Sequence, residues 1–101
     1  MTFIDTLPAE HVVSSIDAMR ESDHGRFYID HVAQGDARFA LFMLLVDRKM
    51  RAVLGVTHRD IADACWRDFY QDGMEPTEAI IEALQGDDLY AGLIPVLQQM
   101  P

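Results

Sequence analysis

Basic residues are missing from the last third of this sequence. After Arg67 there is no lysine or arginine, while residues 68–101 carry Asp68, Asp72, Glu75, Glu78, Glu82, Asp87 and Asp88. The net charge of the 101 residues is −9, and most of it falls in this stretch. Phosphate binding needs Lys and Arg to displace counterions, so such a surface excludes direct nucleic-acid contact. It also repels anionic membranes. A basic protein surface, by contrast, is attracted and meets it faster.

Other scarcities narrow the class further. Cys65 is the only cysteine, so no internal disulfide can form. The longest apolar run, Phe39 to Val46, is far shorter than the roughly 20 residues that span a bilayer. Met1-Thr2-Phe3-Ile4-Asp5 offers neither a basic start nor a long apolar stretch, so no signal peptide is expected. Together these features predict a cytoplasmic chain. Arginine outnumbers lysine seven to one, in keeping with a GC-rich bacterial or phage genome. No segment sustains the alternation of a strand, and Arg51 to Thr57, the one candidate, cannot make a sheet alone.

What is present reads as helices. Half of the residues are hydrophobic and a quarter charged, a globular composition. The spacing predicts a single all-α domain over residues 1–101, a compact bundle of five to six short helices around a central apolar helix at about 37–54. A first helix is expected from about Pro8 to Ser22, with Ala9, Val12, Val13, Ile16 and Met19 inward and Gly25 as its left-handed stop. A second, about Arg26 to Ala33, turns Phe27, Tyr28, His31 and Val32 inward and ends at Gly35. Asp36 caps the central helix, about Ala37 to Leu54, and Gly55 closes it. Its first half is apolar on every side and so must be surrounded. Its second half faces Asp47, Arg48, Lys49 and Arg51 outward.

Thr57-His-Arg-Asp60 has the form of a capping box. It predicts a fourth helix to about Tyr70 that buries Ile61, Ala62, Cys65, Trp66 and Phe69 and pairs Asp63 with Arg67. Pro76 starts a fifth helix, to about Gln85, with Ala79, Ile80, Ala83 and Leu84 inward. Asp87 or Asp88 caps a sixth, whose apolar set is Leu89, Tyr90, Leu93, Ile94, Val96 and Leu97. Pro95 predicts a kink or a restart within it.

The chemistry-bearing residue types form no catalytic pattern. His11, His24, His31 and His58 fit no metal motif, and His24 and His31 lie about 10 Å apart along a helix. No metal and no cofactor are expected. Ser14, Ser15, Ser22 and Cys65 lie in no activating turn. No enzyme is predicted. Thr57 to Ala64 resembles the opening of a helix-turn-helix, but the reading helix would be Pro76 to Leu84, which shows two glutamates and no base. It could not make the usual arginine contacts to guanine. A small-molecule pocket lined by Phe39, Phe42, Met43 and Trp66 is conceivable, and the same residues serve equally as core.

The acidic surface is what remains. Glu75, Glu78 and Glu82 share one helical stripe, and Asp68 and Asp72 extend another. Two accounts compete: a face that only keeps the protein soluble, and a docking face for a basic protein partner. Asp68, Asp72, Glu75, Glu78, Glu82, Asp87 and Asp88 are the candidate contact residues of the second. In size and charge the chain resembles phage- and plasmid-borne inhibitors such as anti-CRISPR proteins, DNA mimics and immunity proteins. The resemblance implies a non-enzymatic inhibitor that occupies a nucleic-acid-binding surface. The alternative is a homodimer or higher oligomer serving as a phage or bacterial accessory subunit, its interface drawn from the many large apolar residues.

Overall fold

Residue Asp36 sets the frame of the molecule. Its carboxylate accepts the Phe39 N–H at 3.1 Å and so caps the longest helix. In the computed structural model, which describes residues 1–99, six α-helices occur in the order α1 (Ala9–Glu21), α2 (Asp23–Phe27), α3 (Ala37–Leu54), α4 (Trp66–Gln71), α5 (Pro76–Gln85) and α6 (Ile94–Gln98). A short 3-10 turn at Ile4–Thr6 precedes α1, and 3-10 turns at His58–Asp60 and Ala91–Leu93 and a π-helical turn at Tyr28–Val32 lie between the helices. No strand occurs among the described residues, and no helix among them is long and apolar enough to cross a membrane.

α3 is the central element. Gly55 ends it with φ +74°, a left-handed conformation that glycine adopts freely. Phe39, Ala40, Leu41, Phe42, Met43, Val46 and Met50 are all buried along it. α5 packs on α3 with Ala79, Ile80, Ala83 and Leu84 inward, the four that its spacing selects. Tyr70 of α4 stands 5.3 Å, ring centre to ring centre, from both Phe39 and Phe42. Phe39, Phe42, Met43 and Trp66 therefore belong to the core and do not line a pocket.

Several local expectations are corrected. α1 stops at Ser22, not at Gly25. Ser22 is extended, and its hydroxyl accepts the Gly25 N–H at 2.9 Å, which starts α2 at once. Gly25 is buried inside α2, and it packs so close to α1 that a Cβ there would lie 2.2 Å from the Met19 carbonyl oxygen. The helical run extends into the π turn, which buries Tyr28 and Ile29 and leaves His31 exposed. Ala9 and Val13 of α1 are also exposed. Asp47 does not face solvent: it is 2 % exposed.

The fourth helix starts eight residues later than its capping box suggests. The Thr57–Asp60 box forms, with the Thr57 N–H donating to Asp60 at 2.8 Å, but only one 3-10 turn follows. Beyond it, the Ala62 N–H donates to Asp87 at 2.7 Å and is diverted from any helix. Ala62 and Cys65 are consequently exposed rather than buried. Arg67 does not pair with Asp63. It pairs with Asp36 at 3.1 Å, donates to the Ala33 carbonyl at 3.2 Å and lies over the Phe39 ring at 4.3 Å. At the far end, Pro95 sits in the first turn of α6, so the chain restarts there as the proline requires. Leu89 lies in the turn before it and is exposed.

Candidate partner-binding site

The acidic residues of the last third lie on α4, on α5 and in the turns beside them. Asp68 and Asp72 are one helical turn apart, at the start and the C-terminal cap of α4. Glu75 precedes α5 and forms a capping box with Glu78, whose carboxylate accepts the Glu75 N–H at 3.3 Å. Glu82 follows one turn later. All five side chains are exposed, and so is Asp88.

Asp87 is placed differently. It is 7 % exposed and accepts N–H groups from Ala62 at 2.7 Å, Leu89 at 2.8 Å and Tyr90 at 3.0 Å. The Ala62 N–H is the main cause that holds its carboxyl below the ordinary carboxylate value. Burial pushes the other way, and the Tyr90 and Leu89 N–H groups add to the lowering. Asp87 thus braces the chain internally and leaves the exposed set at Asp68, Asp72, Glu75, Glu78, Glu82 and Asp88.

The ion pairs explain why these six remain available. Arg20 pairs with Asp17, Arg26 with Asp23, Arg38 with Asp5 and Arg67 with Asp36. His58 meets Asp47. Every acid in these pairs comes from the first two-thirds of the chain. Among the described residues none of the six has a basic partner within 4 Å. Arg48, Lys49 and Arg51 take no ion pair there either, and Arg59 lies over the Phe27 ring at 5.3 Å.

A second polar cluster, centred on the buried Asp47 of α3, joins Tyr28 of the π turn and His58 of the following 3-10 turn. The Tyr28 hydroxyl donates to Asp47 at 2.5 Å. The His58 backbone N–H donates to the same carboxylate at 2.8 Å, and the His58 Nδ1 lies 2.8 and 2.9 Å from its two oxygens. An ionised carboxylate only accepts, so Nδ1 carries the proton. Burial by itself would raise the Asp47 carboxyl. The His58 ring, the Tyr28 hydroxyl and the His58 N–H outweigh it and hold the group below its ordinary value. Burial, followed by the bond to Asp47, raises the Tyr28 hydroxyl. Nothing in the sequence pattern flagged this cluster, since its members are 11 and 19 residues apart. It resembles the orienting half of a catalytic triad, but among the described residues no hydroxyl or thiol is hydrogen-bonded to His58. Its evident work is to tie the 56–58 segment to α3.

Two grooves flank α3. The larger, about 710 Å³, is walled by α1, α2 and α3. The smaller, about 410 Å³, lies between Phe3, Leu45, Lys49 and the start of α5 at Glu75, Pro76 and Thr77.

Compared with models of known families, with curated proteins and with solved structures, the chain matches none.

Proposed function

We propose that the chain is a non-catalytic binding protein whose acidic α4–α5 face docks on a basic, nucleic-acid-binding surface of a protein partner and blocks it. The reading rests on one observation: the arginines that form ion pairs spend them on acids of the first two-thirds, so Asp68, Asp72, Glu75, Glu78, Glu82 and Asp88 keep their charge unneutralised. Like charges at one-turn spacing destabilise helices by a few tenths of a kcal/mol each, and a basic partner relieves that repulsion. The homo-oligomer reading drew on the large apolar residues, and most of the largest are in the core, Trp66, Phe39, Phe42, Tyr28 and Tyr70 among them.

The experiment is capture of partners from the host lysate, followed by competition for nucleic acid. The partner should bind DNA or RNA, and the chain should displace it. Asp68→Lys with Glu82→Lys should abolish displacement without loss of helix. These two positions are chosen because Glu75 and Glu78 also cap α5, so reversing them would disturb the fold. Displacement undiminished by the double reversal would rule out the face.

A further inference from the structure

An apolar segment with no polar side must be enclosed, yet α3 is not. Its neighbours cover Phe39, Phe42, Met43 and Val46, while Leu44 and Leu45 stay partly exposed. These two leucines lie in the 710 Å³ groove between α1, α2 and α3. That volume falls within the roughly 300–1,000 Å³ of small-molecule sites. On the α1 wall, Ser15, Ala18 and Ser22 are too small to fill it. Along α3 it runs from Leu41 to Ala52, a rise of about 16 Å.

The groove is chemically graded. Leu41, Leu44, Leu45 and Met19 supply apolar surface, and Arg48 and Arg51 stand toward one end of the α3 wall. Both arginines are exposed and without an ion pair among the described residues. Asp47 borders the same end, but Tyr28 and His58 already occupy its oxygens. His24 is the remaining titratable side chain of the lining. In a chain of net charge −9, this is a place where cations meet an apolar surface.

We propose that the groove binds a small amphiphile with an anionic head, a medium-chain carboxylate being the simplest case. Its apolar body lies along Leu41, Leu44 and Leu45, and its carboxylate accepts from the Arg48 and Arg51 guanidinium groups, charged donors suited to a carboxylate. Three helices wall the site, which suits a compact ligand better than a docked helix. The site is separate from the acidic α4–α5 face, and neither reading depends on the other.

The test is titration of the ¹⁵N-labelled protein with decanoate below its micellar concentration, read by amide shifts and calorimetry. Decanol and decyltrimethylammonium are the head-group controls. Decanoate should bind one site, shift amides of residues 15–28 and 41–52, and bind about tenfold or more tighter than either control. Arg48→Ala with Arg51→Ala should remove that preference while leaving the rest of the spectrum in place. Equal binding of all three probes, shifts confined to other faces, or no binding at all would overturn the proposal. Groove shifts that grow with protein concentration alone would assign the groove to a second copy of the chain, and would overturn it as well.

Discussion

Asp47 and His58 meet twice, through the backbone N–H at 2.8 Å and through the ring Nδ1 at 2.8 Å. With Tyr28 on the other side, a single buried carboxylate satisfies three donors from two residues. Removing it leaves those donors buried without a partner, at about 1–3 kcal/mol for each unsatisfied group. Asp47→Ala should therefore lower urea stability by about 3 kcal/mol. Tyr28→Phe removes one neutral donor and should cost about 1 kcal/mol. Equal losses from the two would contradict this account.

The Asp47 carboxyl titrates below its ordinary value of 3.8. In that interval the unfolded chain binds more protons than the folded one, so stability rises with pH. The contribution is whole above the ordinary value and is lost as pH falls through the folded one. Urea midpoints of wild type and Asp47→Asn should accordingly differ at about pH 4 and converge as the pH falls below it. A gap that stays constant to the lowest pH would show that the carboxylate charge is not what stabilises.

Gly25 is required by proximity, not by a turn. A methyl group there meets the Met19 backbone, which a side-chain rotation cannot relieve. Gly25→Ala should cost about 1–3 kcal/mol, the usual range for overpacking. Gly35, whose surroundings are open, should instead tolerate substitution except for the strain of its positive φ. Thermal melts of the two variants, each read beside wild type, check the contrast.

Asp87 holds Ala62, Leu89 and Tyr90 by their N–H groups. In Asp87→Ala these three amides should exchange with solvent faster, while amides of α3 keep their protection. Unchanged exchange at Ala62 would mean that something other than Asp87 delays the start of α4.

Where information was local, the sequence was legible. Asp36, Gly55, Pro76 and the spacing of Ala79, Ile80, Ala83 and Leu84 placed α3 and α5 to the residue. The Thr57–Asp60 box was also read correctly, yet Asp87, 25 residues beyond Ala62, decided what followed it. Asp47 looked like an outer-face acid because its polarity says nothing about His58 or Tyr28. Gly25 looked like a helix stop because a close approach to Met19 leaves no mark in a single sequence. The exposure of Asp68, Asp72, Glu75, Glu78 and Glu82 followed from periodicity, whereas the inward turn of Asp87 and the groove beside Leu44 depend on contacts that only the folded chain creates.

The central claim is that unneutralised carboxylates on α4 and α5 carry the binding. Its most direct test is the partner's affinity for wild type and for Asp68→Lys with Glu82→Lys, measured from about 0.1 M to about 1 M salt, where the Debye length shrinks from about 10 Å to about 3 Å. The wild-type affinity should fall steeply over this range, and the double variant should be weak at low salt and nearly insensitive to it. An affinity that ignores both the salt and the two reversed charges would contradict the account.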